Sequence, residues 1–178
     1  MMNEKAMAKT YFQHFLPADI VEHLNFEQLE LDSNSYVTPE LEDRYSDIVY
    51  TCTYKDYPVD LPLLLEHKSS PVEYPQLQLL RYMIEIWQNR INANQGLRPI
   101  LPIIFYHGEK SWKVKAFHEY FEWMEDRFLP YVPNFSYILT DLSTYSHEEL
   151  FKIEASFFIN ALLVLKYRGN FSFIEQQV

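Results

Sequence analysis

Glycine is nearly absent from this sequence. Three glycines in 178 residues are too few for a Gly-rich phosphate loop, which sets aside P-loop and dinucleotide-binding readings. Cysteine is limited to Cys52, so neither an intrachain disulfide nor a Cys-based zinc site can form. No run approaches the roughly 18 uninterrupted apolar residues of a membrane span. The N-terminal MMNEKAMAKTYFQHF mixes charge with apolar residues and lacks the apolar block of a secretory signal. These absences predict a cytoplasmic protein with no membrane partner. Basic residues are scarce too: 15 Lys and Arg against 25 Asp and Glu leave a net charge of −10. Tight non-specific DNA binding by charge alone is therefore not expected.

What is present is core-forming material. Hydrophobic residues make up 48% of the chain and aromatics 17%, enough to bury the interior of one domain. The charge is also uneven. Arg81, Arg90, Arg98, Lys110, Lys113 and Lys115 face only Glu85 and Glu109 across that stretch, which predicts a local basic surface.

The first forty residues read as helical, over Lys5 to Phe15 and again from Pro17, with Ile20, Val21 and Leu24 on one face. A turn cluster, Asp32 to Ser35, ends that region, and Tyr36 to Leu41 is a candidate short strand. Ser46 to Tyr54 (SDIVYTCTY) has the β-branched and aromatic composition of a strand. Lys55-Asp56-Tyr57-Pro58 signals a turn, and Leu61 to Lys68 (LPLLLEHK) a second strand. A helix is predicted from Pro75 to Asn92, with Leu77, Leu80, Met83, Ile84 and Trp87 at helical spacing. Ile100 to Tyr106 reads as a strand buried on both faces. Lys115 to Phe128 reads as a helix, Phe135 to Leu142 as a strand, and His147 to Arg168 as a long terminal helix. The fold class predicted is mixed α/β.

Strand geometry can bring Asp47, Glu66 and Lys68 together. Pairing Asp47 with Glu66 in an antiparallel hairpin centres the turn between Asp56 and Tyr57, where the turn chemistry lies. Glu66 and Lys68 then share a strand face and His67 takes the other. Two carboxylates and an ammonium at the end of an apolar hairpin are costly unless paired or bound to a cation. Asp47 and Glu66 are hard oxygen donors suited to Mg²⁺ or Mn²⁺, expected within about 6 Å of each other. Lys68 would orient a water or stabilise developing charge. Gln78 and Tyr82, four apart on the next helix, share a face; Gln78 could steady the Lys68 amine or a phosphate, and Arg81 and Tyr82 are expected to contact the substrate.

The blocks SDIVY, LLLEHKSSP, QLLRYMIEIW and LPIIFYHGEKSW, in that order, resemble the recombination-promoting nuclease (Rpn)/putative transposase family, also called YhgA-like, of the PD-(D/E)XK superfamily. The resemblance implies a restriction-endonuclease-like core of helix, three-stranded antiparallel meander, helix and strand, with C-terminal helical additions. It implies a catalytic Asp at Asp47 and the ExK pair at Glu66 and Lys68. The His67 backbone carbonyl would be a further metal donor, and Gln78 to Tyr82 fits a QxxxY pattern. The activity implied is Mg²⁺- or Mn²⁺-dependent cleavage of DNA, associated with mobile elements. Residues 1–178 are read as one such domain, lacking a C-terminal region that longer members carry.

Blander readings stand beside these. Asp47, Glu66 and Lys68 could form an ordinary ion-pair cluster, and the whole chain a non-catalytic module for protein or DNA interaction. An RNA-directed nuclease is a third option. His107 before Gly108 reads as a turn residue, and His118 with Glu122 as sharing a helix face. The Trp112, Phe117, Tyr120, Phe121, Trp123 stripe reads as core or protein interface. The apolar terminal helix, with Phe157, Phe158, Leu162, Leu163 and Leu165, is expected to be buried in the domain or in a homo-oligomer contact.

Overall fold

The computed structural model describes the backbone of residues 5–32, 45–66, 71–108 and 110–151, and the side chains of these except at 45–47, 63–66, 147 and 151. The described chain begins with α1 (Lys5–Phe15) and one turn of helix, α2 (Ala18–Val21). Strands β1 (Leu24–Leu31), β2 (Tyr45–Tyr54) and β3 (Tyr57–Glu66) follow. Helix α3 (Pro75–Asn92), strands β4 (Ile103–Tyr106) and β5 (Ile138–Asp141), and α4 (His147–Phe151) complete it. The five strands form one sheet in chain order. The first three make an antiparallel meander, and β4 and β5 join it in parallel.

Alternation along the strands divides the core into two layers. Ile48, Tyr50, Cys52, Leu61, Ile103 and Phe105 pack under α1, against Ala8, Tyr11, Phe12 and Phe15. Val49, Ile104 and Tyr106, one residue out of step, pack under α3 against Leu79, Tyr82 and Ile86. A helix on each face is what a sheet apolar on both sides requires.

The β2–β3 hairpin closes with Lys55-Asp56, both at positive φ (47° and 69°), the geometry that matches strand twist in a two-residue turn. Tyr54 therefore pairs with Tyr57, and the register sets Asp47 opposite Leu64 and Glu66 opposite Tyr45. The expected Asp47–Glu66 pairing is thus displaced by two residues. The physical reason is that Tyr57 and Pro58 belong to the strand rather than to the turn. Pro58 and Pro62 cost the hairpin nothing. Asp60, at the same parity, donates its N–H to Pro99 O on the side away from β2, so neither proline removes a β2–β3 bond.

Other elements differ from expectation. Residues 24–31 form a strand, not the continuation of a helix: Leu24, Phe26 and Leu29 are buried, and a bulge between Asn25 and Glu30 breaks the alternation. The candidate strand at 36–41 lies outside the described residues. Residues 115–128 form no α-helix; two short 3-10 turns, Phe117–Tyr120 and Asp126–Tyr131, take its place, so His118 and Glu122 do not share a helix face. Aromatics crowd this segment, which lowers the gain from a regular helix, and Pro130 lies within the second turn. Trp112 and Phe117 are buried, whereas Trp123 is 68% exposed. Helix α3 has the predicted bounds but turns a different face inward. Leu79, Tyr82, Met83 and Ile86 are buried, while Leu77 and Ile84 are half exposed. Of the terminal helix expected over His147 to Arg168, only His147–Phe151 belongs to the described residues, with Leu150 in the α1-side core; Phe157, Phe158, Leu162, Leu163 and Leu165 lie outside them.

Candidate active site

The register defines which residues meet at one end of the sheet. The outermost complete rung on the α3 side is Tyr45, Glu66, Tyr106 and Asp141, and the next on that side is Asp47, Leu64, Ile104 and Leu139. Tyr106, Ile104 and Val49 face α3, so Asp47 and Glu66 occupy α3-side positions by parity. They are diagonal neighbours across β2 and β3. A slip of two residues preserves the face where a slip of one would reverse it. Diagonal Cβ atoms lie roughly 7–8 Å apart or slightly less, a separation that two carboxylates can span to share one ion. His67 and Lys68, directly after Glu66, lie outside the described residues.

Helix α3 supplies the roof. Gln78 is half-buried and Arg81 exposed. Tyr82, which shares a helical period with Gln78, is buried among Val49, Ile104 and Tyr106, so it packs in the layer beneath the site. The first turn of α3 is tied outward by Gln76, whose amide nitrogen donates to Lys115 O. Among the described residues no three His, Cys, Asp or Glu side chains converge as a metal site.

Asp141 was not singled out in the sequence. It is buried beside Tyr106, and its carboxylate accepts two backbone N–H bonds, from Trp112 to Oδ2 and from Ser143 to Oδ1, both 2.9 Å. Those bonds satisfy a charge that burial would otherwise penalise, and they fasten the loop after β4 to the end of β5. The sequence signal was an Asp closing an apolar strand and followed by Leu-Ser, a side chain placed to cap the next turn. Gly108 tightens the same loop. A Cβ there would collide with the Tyr106 hydroxyl and ring, so only glycine lets the chain fold back over Tyr106.

The other overlooked acid is Asp60, at the opposite end of β3 and 1% exposed. Arg90 Nε and Arg98 Nη1 each lie 3.7 Å from its carboxylate. Desolvation raises the Asp60 pKa above the ordinary carboxylate value, and the two guanidinium groups pull it back only partly. Arg90, itself buried, is consequently part of an internal ion cluster and not of the basic surface expected from the sequence.

Known proteins bear on this arrangement. The chain is 30% identical over 105 residues to the recombination-promoting nuclease RpnA of Escherichia coli K12, covering 58% of this chain and 36% of that protein. It is 27% identical to RpnC of the same strain, covering 58% and 35%. It is also 27% identical, with the same coverage, to a protein of that strain named as the inactive recombination-promoting nuclease-like protein RpnE. The chain thus spans about a third of the length of these curated relatives. No solved structure matches it. The family described as "Putative transposase, YhgA-like" matches residues 1–176, and the chain belongs to that family.

Proposed function

We propose that this chain is a metal-dependent nuclease domain that hydrolyses DNA phosphodiester bonds, acting in recombination or on mobile elements. The observation that carries the reading is the diagonal register of Asp47 and Glu66 on the α3 side of β2 and β3, at the end of the sheet that also carries Tyr106 and Asp141. The order of helix, antiparallel meander, helix and parallel strand supports assignment to the restriction-endonuclease-like class. The names of the relatives support the chemistry.

Asp47 and Glu66, with the His67 carbonyl, would hold Mg²⁺ or Mn²⁺. Bound there, the ion would make water more acidic and offset charge on the scissile phosphate. Lys68 is assigned to orienting the attacking water and to stabilising charge as it develops. Gln78, on the helix above, is assigned to steadying the Lys68 amine or a phosphate oxygen. Arg81, exposed one residue before Tyr82, can meet the incoming backbone.

The test is plasmid nicking by purified protein with Mg²⁺, Mn²⁺ or EDTA, paired with thermal denaturation in the same buffers. Cleavage and a metal-dependent rise in Tm are expected, since a ligand that binds only the native state stabilises it. If millimolar Mn²⁺ leaves the melting curve unmoved, the catalytic claim fails and only the fold assignment survives. A second reading, a nuclease-fold module without activity that binds protein or DNA, is favoured by the relative named as inactive and by the net charge of −10. It expects no metal shift.

A further inference from the structure

We infer that residues 110–115, Lys-Ser-Trp-Lys-Val-Lys, form the contact strip for the DNA phosphate backbone beside the candidate active site, with Lys110 and Lys113 as its principal ligands and Asp141 as the residue that positions it. The inference rests on the nuclease reading for the identity of the nucleic acid.

Three observations converge. First, Lys110, Lys113 and Lys115 are all exposed in a chain whose charge is otherwise strongly acidic. Arg90 and Arg98, which the sequence would have added to the same surface, are turned toward Asp60. Lys110, Lys113 and Lys115 are therefore the exposed cations that the stretch after β4 offers to a polyanion.

Second, the strip is fixed at two points, Trp112 and Lys115, by buried polar side chains. At the first, Trp112 N donates to Asp141 Oδ2, and the Trp112 ring packs against Tyr106 with centroids 5.1 Å apart. At the second, Gln76, 1% exposed, donates to Lys115 O, and Tyr74 meets Tyr120 with ring centroids 5.4 Å apart. Loops carrying cations for solvation alone have no need of two buried anchors.

Third, the anchors place the strip at the correct end of the sheet. Asp141 shares its rung with Glu66, with Tyr106 between them, so the two positions are two strand spacings, roughly 10 Å, apart. Gln76 lies two residues before Gln78 on the first turn of α3. The strip therefore runs from the end of β5 to the start of the helix that roofs the site. Its limit is also defined: Glu119, Glu122, Glu125 and Asp126 follow, and that acidic run would repel a phosphate backbone.

Lysines in this role act as point charges that displace counterions, so they leave a distinctive salt dependence. Binding of a short fluorescein-labelled DNA duplex is measured in EDTA, without cleavage, across a range of salt concentrations. For K110Q/K113Q the slope of log Kd against log salt should fall by about 0.9 per lost phosphate contact. In Mn²⁺ the KM for nicking should rise while kcat holds. K110R/K113R should restore both. Asp141→Ala should reproduce the weaker binding without removing any cation. Lys55→Gln, at the hairpin turn on the far end of the sheet, is the control and should leave the slope alone.

An unchanged slope in K110Q/K113Q, with its melting temperature equal to wild type, overturns the inference. So does a wild-type protein that binds no duplex. Wild-type protein that binds with the expected slope but never nicks would sink the nuclease reading and leave the strip standing. Nicking with an unaltered slope in the double variant would do the reverse. A slope seen only with RNA would overturn the assignment to DNA.

Discussion

One strand carries an acid near each end, and the chain treats the two differently. Asp60, toward the start of β3, is enclosed by cations of the same chain: Arg90 from the last turn of α3 and Arg98 from the loop after it. Glu66, at the end of β3, has the same parity as Asp60 and pairs with Tyr45 on one side and Tyr106 on the other. Asp141, two strands from Glu66, is satisfied in a third way, by two backbone N–H groups. A sheet end can thus accommodate a carboxylate through an internal cation, through backbone donors, or through a cation from solution. The first two are structural. The third is what the nuclease proposal assigns to Asp47 and Glu66.

The largest effect should come from removing that third arrangement. Asp47→Asn or Glu66→Gln should reduce cleavage to background and abolish the Mn²⁺-induced Tm shift, while leaving metal-free stability equal or higher because carboxylate repulsion is relieved. Lys68→Ala should keep the metal shift and lower cleavage by about 10²–10³-fold. Loss of metal-free stability in Asp47→Asn or Glu66→Gln would mean that these acids, like Asp60, are structural.

The Asp60 cluster should respond oppositely. Arg90→Met removes one partner of a buried pair and should cost about 3–5 kcal/mol, read by denaturant unfolding, with the Mn²⁺ shift preserved. The pH dependence has a definite sign. Because the folded-state pKa of Asp60 is raised, its contribution to stability is complete below the ordinary carboxylate value and is lost as pH rises through the folded value. Arg90→Met should steepen that loss. A variant as stable as wild type would show the cluster to be dispensable.

Asp141→Ala should fall between these, leaving the N–H groups of Trp112 and Ser143 without their acceptor at about 1–3 kcal/mol for each that stays buried. Asp141→Asn retains one oxygen and should lose less. Hydrogen exchange at the Trp112 amide is the direct readout, and continued protection there in Asp141→Ala would contradict the anchoring role.

The two faces of α3 should separate, and the outer one gives the smallest effect. Ile86→Ala, in the core, should cost about 2–5 kcal/mol. Ile84→Ala, on the half-exposed face, should stay within about 0.5 kcal/mol. Equal losses would mean that another surface covers Ile84.

The sequence by itself determined the order of most elements. Ser46 to Tyr54 and Ile100 to Tyr106 carry β-branched and aromatic side chains that suit a pleated sheet. Proline at the start and apolar residues at helical spacing bounded α3 correctly. The shared parity of positions 47 and 66 across β2 and β3 was also legible, because a shift of two residues in register leaves parity intact. Tertiary structure decided the rest. Apolar residues lie nearly all round α3, so only docking onto Val49, Ile104 and Tyr106 chose Tyr82 and Ile86 over Leu77 and Ile84. The bulge in β1 erased the alternation that would have revealed a strand. The exact register depended on two residues adopting positive φ, which Lys55 and Asp56 do not advertise as glycine would. Asp60 found its arginines some 30 and 38 positions along the chain, and Asp141 found Trp112 29 positions back. Pairings across such separations leave no periodic trace, because they depend on where the sheet and helix bring distant backbone together and not on local preference.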